Sequence, residues 1–96
     1  MAILYATVWE DAEEVALGSP LQYLSKDFTA GMVTTDPINS DKRKRKRVRI
    51  FSDTDCFVSW GESPTVTDGS DGTPMGAENP EYFDIESGHK IAVIAR

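Results

Sequence analysis

Residues 45–61, RKRVRIFSDTDCFVSWG, contain two apolar strand patterns separated by a polar turn. In the first pattern Arg47 and Arg49 alternate with Val48 and Ile50, which is the period of two that places apolar side chains inward and arginines outward on a strand. The turn is predicted at residues 52–55, because Ser and Asp are common turn residues. Residues 56–60, CFVSW, predict a second apolar strand. The stretch therefore predicts two consecutive strands of a β-domain.

The N-terminal part adds one clear strand and one ambiguous segment. Residues 2–9, AILYATVW, are rich in β-branched and aromatic residues and predict a strand. An acidic cluster at residues 10–14 is expected to be an exposed turn or edge, and residues 15–17 could add strand before Gly18. Residues 19–22, SPLQ, have the form of a helix capping box, which allows a short helix near 20–26. An extended segment is the competing interpretation, and the stretch is too short to decide.

The C-terminal part is punctuated by Gly and Pro. A short strand is predicted at residues 32–34, and residues 61–79 form a long, polar, turn-rich loop. Residues 81–85 and 90–95 predict a β-hairpin around a turn at 86–89. Short strands with such punctuation predict a single all-β domain over residues 1–96, a small antiparallel β-sandwich with a jelly-roll-like arrangement.

The charge distribution is strongly segregated. The chain carries a net charge of −6, yet seven of its ten Lys and Arg residues lie in the basic segment 42–49. This segment should seek an anionic surface, and the acidic remainder should repel one. We rank a protein-facing role first and nucleic-acid binding second, because no aromatic residue interrupts the run to stack bases. A nuclear address is third, because the run leads directly into a strand. The predicted partner-binding residues are Lys42, Arg43, Lys44, Arg45, Lys46, Arg47 and Arg49.

No residue pattern predicts catalysis, a metal site or a cofactor. His89 is the only histidine and has no partner ligand in sequence, and Cys56 is the only cysteine and lies inside an apolar strand. Acidic pairs at 53/55 and 68/71 lack the ligand order of a calcium loop. We therefore predict a protein that is not an enzyme. The single cysteine excludes an internal disulfide and favours an intracellular compartment, and no apolar run approaches the ~20 residues of a membrane-spanning helix.

The second half of the chain resembles small structural proteins of tailed bacteriophages. The resemblance rests on the segments VRIFSDTDCFVSWG (48–61), SPTVT (63–67), GTPM (72–75), PEYFDI (80–85) and GHKIAVI (88–94). In order, these are an arginine-bearing strand, a turn, a Cys-aromatic strand ending in Gly, a Pro-Thr loop, a Gly-x-Pro segment, a Tyr-Phe strand and a Gly-Lys hairpin. The resemblance covers about residues 45–95, and the basic run is stronger than this pattern usually carries.

The resemblance implies a place in a virion that is assembled in the host cytoplasm. It implies a β-sandwich protein that decorates or cements the capsid shell by binding the major capsid protein, often as a trimer. A head–tail connector or tail component is the alternative within this class, and a nucleic-acid-binding module that uses residues 42–49 is the alternative outside it. Strand 2–9 and loop 61–79 are expected to contact neighbouring subunits, because strand addition satisfies the hydrogen bonds of a sheet edge.

Overall fold

The computed structural model describes residues 1–10, 20–38 and 45–96, and these residues form eight β-strands and no helix. The strands are β1 (Ile3–Trp9), β2 (Gln22–Asp27), β3 (Val33–Thr34), β4 (Arg45–Ser52), β5 (Cys56–Gly61), β6 (Thr73–Met75), β7 (Glu81–Glu86) and β8 (Lys90–Ala95). They build two four-stranded antiparallel sheets. The first sheet has the order β2-β1-β4-β7, and the second sheet has the order β3-β8-β5-β6. The predicted all-β sandwich is confirmed.

Most connections cross from one sheet to the other. Only β1–β2 and β5–β6 join neighbours within a sheet, whereas β2–β3, β3–β4, β4–β5, β6–β7 and β7–β8 change sheets. This pattern of crossings is that of a double-sheet jelly roll. It brings the first and last strands into the central part of the two sheets, where each is hydrogen-bonded on both sides.

The core lies between the two sheets and follows the period of two. Leu4, Ala6 and Val8 of β1 point inward from the first sheet, and Ile91 and Val93 of β8 point inward from the second sheet. The strand predictions for residues 2–9, 32–34 and 56–60 match β1, β3 and β5. Segments outside the strands also contribute buried apolar side chains to the core, namely those of Phe28 and Ile38.

The short helix that the capping pattern allowed near residues 20–26 does not form. Residues 22–27 are instead strand β2, which pairs with β1 so that Leu24 lies opposite Ala6. Leu24 packs against the core, while Tyr23 and Ser25 face outward and are exposed. The physical reason is pairing, because an extended segment supplies the hydrogen bonds that β1 needs along one side, and a single helical turn could not. The capping residue Ser19 lies outside the described residues.

The C-terminal hairpin prediction is wrong although both of its strands exist. β7 pairs with β4 in the first sheet, and β8 pairs with β5 and β3 in the second sheet. Gly88 adopts a φ of 88°, which allows the chain to turn sharply between the two sheets. Two strands with alternating apolar residues can bury their apolar sides in one core whether they lie in the same sheet or in opposite sheets of a sandwich. The sequence pattern alone therefore did not distinguish a hairpin from a connection between the two sheets.

The turn-rich loop is ordered by its own contacts and contains a strand that the sequence did not predict. β6 pairs with β5 within the predicted 61–79 region. Both carboxylate oxygens of Asp71 accept hydrogen bonds from Thr67, and one also accepts from the backbone N–H of Asp68 at 3.1 Å. Val66 is buried, with 1% of its surface exposed. The loop is therefore held on the body of the protein by contacts within the chain.

Candidate docking face

The outer surface of the first sheet is the candidate functional site. Strand β4 alternates as predicted, with Val48 and Ile50 fully buried and Arg47 and Arg49 on the opposite, outward side. The register with β1, β2 and β7 determines which other side chains share that outward side. We call this surface the arginine–tyrosine face, and its members are Tyr5, Thr7, Trp9, Tyr23, Ser25, Arg45, Arg47, Arg49, Phe51, Tyr82, Asp84 and Glu86. Trp9 shares this side of the sheet but is buried, with 8% of its surface exposed.

The structure divides the predicted basic residues into three groups. Arg45 is exposed and Arg47 and Arg49 are half-buried, and all three belong to the arginine–tyrosine face. Lys42, Arg43 and Lys44 lie outside the described residues. Lys46 points the other way, and its side chain is fully buried.

Lys46 is a structural cation. Its Nζ lies 2.9 Å from Oε1 of Glu10, which directly follows β1. Burying an ammonium group is costly unless it is paired and hydrogen-bonded, so this contact connects the end of β1 to the start of β4. A partner therefore cannot reach the Lys46 side chain in the folded protein. The prediction that Lys46 binds a partner is not supported by its position.

Aromatic side chains surround the arginines across the sheet. Phe51 lies opposite Tyr5, and their ring centroids are 6.1 Å apart. The guanidinium carbon of Arg49 lies 5.6 Å from the centre of the Phe51 ring, which is within the range of a cation–π contact. On the other side of Arg49, its cross-strand partner is Tyr82, whose ring lies 6.4 Å from that of Trp9.

The tyrosines are exposed to a degree that is unusual for large side chains. Tyr23 is 74% exposed, Tyr82 is 48% exposed and Tyr5 is 43% exposed. A large apolar surface that remains open in a folded monomer commonly marks an interaction site. Three of the six most exposed large hydrophobic side chains in the described residues thus belong to a single face.

A groove of about 500 Å³ runs across this face over β2, β1 and β4. The groove is lined by the small side chains of Thr7 and Ser25 and by the larger side chains of Tyr5, Tyr23 and Arg49. Thr7 is the cross-strand partner of both Tyr23 and Arg49, so the depression lies between a phenol ring and a guanidinium group. The groove therefore offers aromatic surface, hydroxyl groups and one positive charge.

The charges of the face are only partly neutralised. Arg47 donates from Nε to Oδ1 of Asp84 at 2.7 Å. Arg45 lies opposite Glu86 in the register, although no ion pair forms between them. Arg49 forms no ion pair with any described residue. Arg49, which lines the groove, thus has no acidic partner among the residues that the structure describes.

Loop residues and the C-terminal Arg96 cover the outer surface of the second sheet around Phe57. Loop residues Gly69 and Gly72 approach the side chain of Phe57, and Arg96 lies 5.7 Å from the centre of that ring. Gly72 also lies so close to the buried Val66 that a Cβ atom at this position would be 2.5 Å from Val66 Cγ2. The loop therefore covers the second sheet around Phe57, whereas Tyr5, Tyr23 and Tyr82 of the first sheet are exposed among the described residues.

The other chemically active side chains have structural surroundings. Cys56 is buried, and burial raises the pKa of its thiol. His89 Nε2 lies 3.3 Å from Oε2 of Glu86 in the β7–β8 turn. Hydrogen bonds from Thr67 and Asp68 lower the pKa of Asp71, which uses its oxygens within the loop. Among residues 1–10, 20–38 and 45–96, no group of three or more His, Cys, Asp or Glu side chains could hold a metal ion.

Sequence reasoning identified the arginines of this face but missed its aromatic residues. Within the linear run of residues 42–49 no aromatic residue occurs, whereas strand pairing places Tyr5 and Tyr82 on either side of β4. The alternation of Ile3, Tyr5, Thr7 and Trp9 along β1 was the available signal, but it did not reveal which strand would lie beside β1.

No protein-family model, no curated protein and no solved structure matches this chain. The part of the chain that the structure describes contains no helix that could span a membrane.

Proposed function

We propose that this chain is a non-enzymatic structural protein of a tailed-phage virion, which decorates or cements the capsid shell by docking the arginine–tyrosine face on the major capsid protein. The observation that carries the proposal is the outer side of the first sheet, where Tyr5, Tyr23 and Tyr82 are exposed beside arginines, whereas loop residues pack on the second sheet around Phe57. The resemblance of residues 48–94 to phage structural proteins supplies the virion context.

The composition of the face suits a protein partner. Interfaces between proteins are enriched in Tyr, Trp, Phe and Arg in their centres, and these residues dominate the energy of binding. The three exposed tyrosines supply large rigid surfaces at low entropic cost. The arginines can pair with acidic residues of a shell subunit, which fixes the orientation of docking and accelerates association.

The size of the face favours docking in several copies. Four strands at about 4.8 Å spacing and a length of about seven residues give roughly 450 Å² in plan, whereas a standard interface hides about 800 Å² on each partner. A single copy would therefore bind weakly through this face alone. Self-association, with a trimer favoured, would combine several weak contacts into a strong attachment to a symmetric shell.

A nucleic-acid-binding role remains the second candidate because aromatic rings do adjoin arginines on the folded sheet. Base stacking on such rings is a common way to bind single strands. The same face carries Asp84 and Glu86 beside its arginines, and these carboxylates would repel a phosphate backbone. We therefore rank the protein partner first, as a shell, head–tail or tail protein.

The first experiment is to count copies of the chain in purified virions of its source by quantitative mass spectrometry. A copy number comparable to that of the shell protein supports decoration or cement. A handful of copies per particle would instead support the neck or tail, and absence from the particle would overturn the virion proposal.

The second experiment measures co-sedimentation of the protein with shells assembled from the major capsid protein. The double variant Tyr23→Ala, Tyr82→Ala is expected to bind at least about tenfold more weakly, since aromatic residues central to an interface each contribute 1–2 kcal/mol or more. Met32→Ala is the matched control, because Met32 is 40% exposed but precedes β3 in the second sheet. Equal loss in the control would argue against the face.

A DNA-binding assay separates the second candidate. Phosphate contacts are strongest at low salt, so wild-type protein should bind single-stranded DNA at about 50 mM salt if the nucleic-acid role is correct. Replacing Arg45, Arg47 and Arg49 by Gln would then flatten the dependence of affinity on salt. Absence of binding at low salt would eliminate this candidate.

A further inference from the structure

We propose that the groove on the arginine–tyrosine face is the specificity site, and that it takes a single carboxylate side chain of the partner polypeptide on Arg49 with a neighbouring apolar side chain against Tyr5 and Tyr23. This inference rests on the proposed docking role and defines what the face recognises. The occupant is a short segment of protein in which one Asp or Glu is flanked by apolar residues.

The groove has the right construction for such a segment. It is open to solvent, and its volume of about 500 Å³ leaves room for one or two side chains of a partner. Thr7 creates the depression because it is the only small side chain between Tyr23 and Arg49 in its cross-strand row. An apolar side chain seated over Thr7 would contact the Tyr23 ring on one side while a carboxylate reached the guanidinium on the other.

Arg49 is prepared to receive a carboxylate. It forms no ion pair with the described residues, and its contact with the Phe51 ring at 5.6 Å holds the guanidinium beside the groove. A planar guanidinium can bind a carboxylate through two parallel N–H···O bonds, and such charge-assisted pairs are about twice as strong as neutral hydrogen bonds. The hydroxyl groups of Thr7 and Ser25, which make no hydrogen bond to the described part of the chain, are available to the polar atoms of the segment.

The charges around the groove favour one carboxylate over a polyanion. Asp84 is paired with Arg47 on one side of Arg49, and Asp27 lies at the end of β2. A chain of phosphates or sugar acids would meet these carboxylates as soon as it extended beyond Arg49. An isolated acidic side chain with apolar neighbours meets only the positive charge and the rings.

The experiment uses the complete protein labelled with ¹⁵N and two blocked pentapeptides. One peptide carries a glutamate between two leucines, and the other carries glutamine at the same place. We expect the glutamate peptide to shift the amide resonances of Thr7, Tyr23 and Arg49. The glutamine peptide is expected to bind at least about tenfold more weakly, because it lacks the charge-assisted pair. Equal binding of the two peptides, or shifts outside the groove, would overturn the inference.

Two variants provide a matched comparison on one strand. Arg49→Gln removes the cation of the groove and is expected to abolish the preference for glutamate. Arg47→Gln removes the same charge from the same face, but from an arginine that Asp84 already neutralises, and is expected to keep the preference. If both variants lose it equally, general electrostatic attraction explains binding and the site is not specific. Stronger groove shifts with a tetranucleotide or with a uronic acid oligomer would likewise overturn the choice of a peptide.

The inference and the docking proposal can fail separately. If Arg49→Gln binds assembled shells as tightly as wild type, the groove is not the specificity site although docking on the shell stands. If the glutamate peptide occupies the groove but wild-type protein does not bind shells, the recognition site stands and the virion partner is wrong.

Discussion

The contact between Gly72 and Val66 gives a sharp test of how the loop is held on the second sheet. An alanine Cβ at position 72 would lie 2.5 Å from Val66 Cγ2 and 3.2 Å from both Phe57 Cβ and the Asp68 carbonyl oxygen. Carbon atoms in contact prefer a separation of about 3.5–4.0 Å, so the methyl group has no room unless the loop moves. Overpacking of this kind typically costs about 1–3 kcal/mol, and Gly72→Ala is expected to lower the free energy of unfolding by that amount.

A double-mutant cycle identifies the cause of the loss. Val66→Ala alone removes two buried methyl groups and should cost about 1.5–3 kcal/mol. It also removes the atom that the new Cβ would strike, so the double variant should lose little more than Val66→Ala alone. The expected coupling between the two substitutions is therefore about 1–3 kcal/mol in favour of the double variant.

Urea unfolding followed by tryptophan fluorescence measures these differences. Gly61→Ala is the control, because no atom lies within 4 Å of its Cβ position, and its stability should stay within about 0.5 kcal/mol of wild type. Additive losses in the double variant would refute the steric explanation. A neutral Gly72→Ala would show that the loop does not pack on the second sheet as described.

Two further predictions follow from titratable groups. The pKa of Asp71 is lower in the folded protein than its ordinary value because of hydrogen bonds from Thr67 and Asp68, so the unfolded state binds more protons in acid, and Tm should fall as pH decreases below about 4. The Tm of Asp71→Asn should fall less than that of the wild type between about pH 6 and about pH 3. An equal fall of Tm in both proteins would contradict the contribution of Asp71 to the pH dependence. Burial raises the pKa of Cys56, so alkylation of this thiol at pH of about 8 should occur only as fast as the protein unfolds, and complete labelling within minutes under native conditions would contradict its burial.

The sequence predicted strands wherever apolar residues alternate clearly. β1, β4, β5 and the strands at 81–86 and 90–95 are each rich in β-branched or aromatic residues, so their positions were readable. For β4 the period of two also predicted that Val48 and Ile50 face inward. β2 was ambiguous, since Leu21, Leu24 and Phe28 also fit one helical face. In the structure this segment pairs with β1 and is therefore a strand. β6 was missed because three residues, one of them Pro74, carry too little pattern.

The sequence did not predict which strands pair with one another. The 81–95 region looked like a hairpin because its two strands are separated by a short Gly-containing turn, and a turn that changes sheets contains the same residues. Lys46 looked like one more cation in a run, but its place in the period of two on β4 turns it inward to Glu10. Its inward position in the sequence pattern could have indicated a buried ion pair, but Lys46 was grouped with the neighbouring cations of the basic segment.

By itself, the sequence determined an all-β chain with a basic strand on an acidic body, because strand formation and charge depend on residues that are close together along the chain. Only the tertiary structure decided that Tyr5, Tyr23 and Tyr82 adjoin the arginines and are exposed, and that loop residues around Val66 pack on the second sheet near Phe57. These features depend on which strands pair and in which register. Such pairings join residues far apart in the chain, and local patterns do not encode them.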